Sequence, residues 1–383
     1  MSQQSPSEPE CQPYDPLAAD RAAGGPELDL FVEGQVFLDI IFTGLRALPQ
    51  RGQEIWSEGM GSTPGGIANL AVAASRLGLR TGLAAAFGDD AYGDFCWTTL
   101  AENEHVDLSR SRRFADWHTA VTISMADGVD RAMVTHGHPA PIPVTEMIGR
   151  PPTAAAVMVD LAPGEDVVGT ADEPSWVERA RRDGSLVFAD VGFDPSGQWD
   201  ERLLDQLQTC HAFMPNALEA MAYTRTSSAH EALYALADRV PLAVVTDGVN
   251  GALALDSSTG EEATVPALRV QALDPTGAGD VFGAAVVLGT LAHWPLQDRL
   301  AFASLCSALA VQQFGGSLAA PGWGDIADWW HRQTTATSGS AYDKALRRRF
   351  GFLDALVPQV PQGATRRAHA TLAHYNDLFK EHP

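Results

Sequence analysis

Residues 274–283 read DPTGAGDVFG, and the apolar run VFGAAVVLGTLAHW begins at Val281. Gly277, Gly279 and Gly283 thus stand among small residues at the entry to a segment that reads as a helix. Such entries hold anions, because bare backbone N–H groups and the positive helix end face the same point. Asp280, in the first turn, brings a negative charge to that point. A dinucleotide fingerprint would need G-x-G-x-x-G just after a first strand, with an acidic residue about 20 positions on at the end of a second strand. Here the third glycine comes one position late, the loop lies in the C-terminal half, and the region near residue 300 reads as helix. Phosphoryl transfer uses every part of the stretch. Amides around 277–280 form a pocket for developing charge, and a first-turn carboxylate accepts the proton of an attacking hydroxyl. For an isolated Asp, the plainer reading is a favourable charge at a helix N-terminus.

Composition narrows the partners. The 383 residues carry a formal charge of −22, which argues against nucleic acid or an anionic membrane surface. No apolar run is long enough for a membrane span, and the N-terminus lacks the basic and apolar parts of a signal peptide. Its Pro, Ser and Glu content reads as a disordered leader over residues 1–27. Cys11, Cys96, Cys210 and Cys306 form no C-x-x-C, which fits a reducing cytoplasm. The chain has two lysines, Lys344 and Lys380. That excludes a Walker A lysine, a protein-kinase strand lysine and a Schiff-base lysine from residues 1–343.

From residue 28 the sequence reads as α/β. ELDLFVEGQVFLDIIF (27–42) reads as a first strand interrupted by Gly34. From about 154, buried-type strands AAAVMVDLA, SLVFAD, HAFMP and LAVVTDG alternate with helical segments 173–183, 198–209 and 216–239. That pattern predicts a mostly parallel sheet covered on both faces, a three-layer α/β/α domain over 28–335. Polar-alternating strands HTAVTISMA and DRAMVTHGH predict a small exposed β lid, in segments 41–60 and 114–138. Residues 336–383 form a basic extension. Its part from 341 holds seven Lys/Arg against four Asp/Glu, and KALRRRFGFLDAL and ATLAHYNDLFKEH suit amphipathic helices on the acidic body or on a second subunit.

The stretch 274–284 resembles the C-terminal signature of the ribokinase-like (PfkB) carbohydrate kinases, D-[TP]-x-G-A-G-D-x-F-x-[AG]. The resemblance runs from about residue 29 to 325. It implies the ribokinase-like three-layer fold with a small β-sheet lid, and a sugar kinase using ATP and Mg²⁺. Asp280 is then the catalytic base, and Gly277, Ala278 and Gly279 form the anion hole. Thr276 joins the nucleotide site, and Asp274 would help to bind a monovalent cation such as K⁺. Asn216 and Glu219, in MPNALEA, fit a helix capping box on their own. In the family an N-x-x-E at this place orients hydrated Mg²⁺ and the nucleotide phosphates. Asp39, in VFLDIIF, is costly in a buried strand unless it is paired, and the resemblance makes it a ligand for sugar hydroxyls. TPGGIANLAVAASRLG resembles the G-G-x-x-x-N signature, whose glycines and Asn meet the sugar. From Asn69 the glycines should fall at 64 and 65, whereas the chain has Pro64, Gly65 and Gly66.

VVTDGVNGALAL suggests nucleotide contacts at Thr246 and Gly248, or simply a tight Asp-Gly turn. AFASLCSALAVQQFGG supplies the far wall of the adenine pocket, and FGDDAYGDF reads as structural. Arg131 could reach a substrate anion or cap a surface turn. His136 and His138 share one face of a strand, but two histidines without a third ligand make a poor metal site. The expected partners are ATP and a small sugar, with a homodimer compatible. A ribonucleoside kinase of the same family, or a non-catalytic sugar-binding protein on this fold, is the alternative.

Overall fold

The computed structural model describes residues 14–19, 21, 24–126, 131–162, 167, 169, 174–192, 194, 196–313, 315–335 and 339–367, and the backbone of 375–376; the side chain of Arg131 lies outside the described residues. The first half of the chain supplies β1 (Leu28–Glu33), β2 (Val36–Thr43), β3 (Gly59–Gly66), α1 (Ala68–Arg76), β4 (Thr81–Ala84), β5 (Ala86–Gly88), α2 (Ala91–Thr98), β6 (Arg112–Phe114), β7 (Ala120–Ala126), β8 (Arg131–His136) and α3 (Val144–Ile148). The second half supplies β9 (Ala154–Leu161), α4 (Trp176–Arg182), β10 (Leu186–Val191), β11 (Ala212–Phe213), α5 (Ala217–Thr224), α6 (Ala229–Ala237), β12 (Leu242–Thr246), β13 (Ala252–Asp256), β14 (Glu261–Val265), α7 (Ala278–Leu291) and α8 (Leu296–Ala310), and further short helices follow.

Among the described residues, eight strands form the main sheet in the order β14-β13-β12-β11-β10-β9-β1-β4. It is parallel from β12 through β4, while β13 and β14 are antiparallel additions. Strand β9 shows why both faces need covers. Its Ala156 and Met158 enter one core with residues of α1, α7 and α8, while Val157 and Val159 enter a second core with residues of α4, α5 and α6. Each fully buried Leu or Phe contributes roughly 1.5–3 kcal/mol, so both layers are strongly held. Gly283 keeps α7 close to the sheet, since a Cβ there would lie 3.1 Å from Met158 Cε.

Several sequence expectations are corrected. The segment 27–42 is two strands in two sheets: β1 lies in the main sheet, and β2 pairs with β3 and β7 in the lid. Gly34 marks the division, where a Cβ would press within 3.0 Å of Ile67 Cβ. The lid therefore uses residues 36–43 and 59–66 beside β7 and β8, rather than segment 41–60 as strand. Segment 216–239 is two helices, because Arg225 takes the left-handed conformation (φ 56°, ψ 34°) that ends α5. Part of the expected leader is packed onto the body. Leu17 is buried, Tyr14 meets Trp323 edge-on, and Arg21 pairs with Asp29.

The basic extension is docked in part. Leu346, Phe350 and Leu353 join the core, and Arg366 and Arg367 pair with Asp328 and Asp325. Of ATLAHYNDLFKEH, only residues 375 and 376 are described, and they pair with β3 as a strand rather than a helix. No helix among the described residues is long and apolar enough to cross a membrane.

Candidate active site

The carboxyl ends of β9, β10 and β12 and the loop after β11 open on one edge of the main sheet, and the N-termini of α1 and α7 point at the same place. Neither helix N-terminus is closed by a side-chain cap, so both keep free donors for an anion. Gly277, the residue before α7, has φ 75°, a left-handed conformation that L side chains rarely adopt. Gly279 has open space before it, with no atom within 4 Å of where a Cβ would stand. Of the three amides expected to form the anion hole, that of Ala278 instead closes a turn on the Pro275 carbonyl (3.2 Å).

Asp280 is half-buried in the first turn of α7. Burial, and then the charge of Asp160, raise its carboxyl to about 7, against the opposing effect of the neighbouring Asn69 side chain. Asn69 lies in the first turn of α1, so one contact joins the N-terminal and C-terminal signatures, 211 positions apart in sequence. Asn69 Oδ1 is buried with no hydrogen-bond partner among the described residues.

Thr246, Gly279 and Phe282 belong to two adjoining cavities. The first, of about 360 Å³, is apolar, with Gly248, Gly251 and Leu268 on one side and Ser304, Ser307, Ala308 and Val311 of α8 and its end on the other. This is the wall expected of AFASLCSALAVQQ, and it suits a flat heterocycle. The second, of about 270 Å³, contains Asp160, Asp190, Asn216, Glu219 and Asp280. Neither cavity's lining includes a lysine or arginine among the described residues.

Asp160 and Asp190 are site residues that the sequence reading missed. They end the adjacent strands β9 and β10 and face each other in register. Desolvation raises Asp160, and desolvation followed by Asp160 raises Asp190 well above the carboxylate range. A carboxylate closing each of two apolar strand runs was the available signal, but only the sheet order makes them neighbours.

Asn216 and Glu219 do form the capping box. Asn216 Oδ1 accepts from the Glu219 N–H (3.0 Å), and Glu219 Oε2 accepts from the Asn216 N–H (3.0 Å). Burial also raises the Glu219 carboxyl. The box therefore aims both side chains into the acidic cavity. Asp274 is buried and accepts from the Thr276 N–H (2.9 Å), the Thr276 hydroxyl (2.6 Å) and the Gly315 N–H (3.1 Å). It ties the anion loop to the turn beneath Asn69, and the Thr276 hydroxyl is spent within that tie.

The lid carries the predicted sugar ligand Asp39, which lines neither of the two cavities. Asp39 is 8% exposed on β2, in register with Thr63 on β3 and Thr122 on β7. Gly65 makes room for it, because a Cβ there would lie 1.9 Å from Asp39 Oδ2. Gly66 has a separate job. Its φ is +64°, and a Cβ would strike the Gln35 carbonyl (2.4 Å), so it permits the turn from β3 into α1.

The pfkB family carbohydrate kinase profile matches residues 36–322. A fructokinase from Klebsiella pneumoniae is 29% identical over 67% of this chain and 89% of its own length. An aminoimidazole riboside kinase from Salmonella typhimurium is also 29% identical, over 67% and 85%. The fold matches the crystal structure of an E. coli protein assigned as a ribokinase II, in complex with ATP and Mg²⁺ (TM-score 0.66, 20% identity, 79% of this chain and 99% of that one). With the profile spanning three quarters of the sequence, this chain belongs to the pfkB family of carbohydrate kinases, phosphotransferases that act on hydroxyl groups.

Proposed function

We propose that this protein transfers the γ-phosphoryl group of ATP to a primary hydroxyl of a free sugar, with Asp280 as general base. The observation that carries this reading is the Asn69–Asp280 pair. The Asn69 side chain neighbours the base, and its buried Oδ1, which has no hydrogen-bond partner among the described residues, is an acceptor suited to a second hydroxyl of the same substrate. A base near 7 is half ionised at neutral pH, which is where proton transfer from an alcohol is most effective. The sugar hydroxyls bind Asp39 and Asn69, with Gly65 keeping the strand back from Asp39. Arg131, with Arg46 and Arg51, is a candidate cationic contact from the lid.

Adenine enters the apolar cavity between Gly248 and α8, which leaves the phosphates passing Thr246 towards Gly277 and Gly279. Four carboxylates and, among the described residues, no cationic side chain line the phosphate end, so a triphosphate needs a counter-ion to enter. The hard oxygen donors there fit Mg²⁺. Glu219 and Asn216 would hold it through water, and it would supply the positive charge that the missing lysine cannot. Asp274, which already ties the anion loop to Gly315, is the candidate ligand for a monovalent cation such as K⁺.

Thr63, Thr122 and Thr135 register with Asp39 across the lid, offering hydroxyls rather than stacking rings. This favours a free sugar over a ribonucleoside. The test is an ADP-coupled assay across pentoses, hexoses and ribonucleosides. One sugar should support turnover, and Asp280→Asn should lower kcat by roughly 10²–10⁴ with nucleotide binding retained. Near-normal turnover in Asp280→Asn would remove Asp280 as the base. Tight sugar binding without ADP release would instead indicate a binding protein.

A further inference from the structure

The sequence offers His136 and His138 without a third ligand, and the fold supplies one. His118, just before β7, stacks on His136 with ring centroids 5.0 Å apart and planes 13° apart, and it meets His138 at 5.0 Å and 71°. His136 and His138 are 5.3 Å apart at 79°. One ring nitrogen from each of the three lies within 4.8 Å of the others. His136 and His138 are exposed, so burial of apolar surface does not explain why the rings gather.

The backbone around them is closely fixed. Gly137 separates His136 from His138, and a Cβ there would lie 2.6 Å from Ala120 Cβ, so a glycine is what lets the end of β8 close on the start of β7. The Thr119 N–H donates to Asp90 Oδ2 (2.8 Å), Trp117 Nε1 donates to the Pro139 carbonyl (3.0 Å), and Gln35 Nε2 donates to the His138 carbonyl (3.3 Å). His118 Nδ1 lies 3.2 Å from the Thr119 carbonyl. As a donor to that carbonyl it leaves Nε2 to bind, the arrangement usual for a ligating histidine.

We propose that His118, His136 and His138 form a binding site for a borderline divalent transition ion, with Zn²⁺ the best fit, at the base of the lid. Three imidazoles suit Zn²⁺, Co²⁺, Ni²⁺ or Cu²⁺ and not Mg²⁺, which takes oxygen donors. Nitrogens bound to Zn²⁺ at about 2.0–2.1 Å stand roughly 3.3 Å apart in a tetrahedral site, within reach of small side-chain rotations here. A fourth position stays open to water. Because Gln35 lies between β1 and β2, the ion would tie β7 and β8 together beside the junction of lid and body. The site is separate from the acidic cavity, so it does not depend on the kinase reading.

The test uses the full chain without an affinity tag, stripped of metal and then kept in excess Mg²⁺ to occupy the carboxylates. Co²⁺ should bind at one equivalent per chain and give visible bands of a nitrogen-rich, low-coordinate site, and Zn²⁺ should displace it. His118→Gln should lose those bands, and so should His136→Gln. Both variants should melt with the metal-free wild type, because the altered rings lie at the surface. Absence of the bands in the wild type, or bands unchanged in both variants, would overturn the proposal.

Discussion

The floor of the active site and its lid are built in opposite ways. The floor gathers Asp160, Asp190, Asn216 and Thr246 from consecutive strand ends, with Asp280 from the helix above them, all fixed by buried parallel strands. The lid folds β2 and β3 away from the sheet that β1 has just entered, and Asp39 rides on that excursion. The floor is where charge is concentrated, so its residues should set the chemistry. The lid makes contact through close backbone approaches, as at Gly65 and Gly66, so its shape sets which substrate fits. A change in the floor should therefore alter kcat and pH dependence, whereas a change in the lid should alter the KM for sugar.

The largest effect expected from the lid is at Gly65. Gly65→Ala should displace the Asp39 carboxylate and lower kcat/KM for the sugar by about 10²-fold, as a misplacement near 1 Å can. The KM for ATP should stay as it is, and a matching loss in ATP affinity would erase the division between floor and lid. Next comes Glu219→Gln, which keeps the shape of the capping box and removes a charge from the cavity. Its apparent Mg²⁺ affinity, read from rate against Mg²⁺ concentration, should fall roughly 10–100-fold.

Asp160→Asn tests the electrostatics of the floor. Asp280 must be ionised to act, so kcat/KM should rise with pH through about 7. Removing the Asp160 charge should move that rise to lower pH, and an unmoved profile would show that the two carboxyls do not interact. The same shift has a stability sign. The fold favours protonated Asp280, so this contribution is full below the ordinary carboxylate range and is lost as pH rises through about 7. Asp280→Asn should accordingly raise the melting temperature at pH 8 and leave it unchanged at pH 4. The smallest effect on activity is expected at Asp90, whose carboxylate caps α2 through the Gly93 N–H (2.7 Å) and holds the Thr119 N–H (2.8 Å). Asp90→Ala should cost about 0.5–2 kcal/mol in a denaturant melt with kcat unchanged.

How much could be read beforehand followed the range of the interactions. DPTGAGDVFG was legible because its parts act within one helical turn: a left-handed glycine, a bare glycine facing the cavity, a carboxylate three residues on. Asn216 and Glu219 were legible for the same reason, since the capping box they form lies within one turn. The lid was not, since VEGQVFLD carries no local sign that Gly34 moves the chain from one sheet to another. The break of 216–239 at Arg225 did carry a local sign, the polar run TRTSS ending in Ser228-x-x-Glu231, a helix start that the reading of one helical segment passed over.

By itself, then, the sequence determined the glycine-rich helix entry with its first-turn Asp280, the alternation of strands and helices, and the absence of any lysine before residue 344. Each is a property of neighbouring residues or of composition. The tertiary structure alone decided which carboxylates share a cavity, that Asn69 lies beside Asp280, and that His118 joins His136 and His138. Those facts depend on strand order and sheet crossing, where residues far apart in the chain meet because buried apolar faces must find covers.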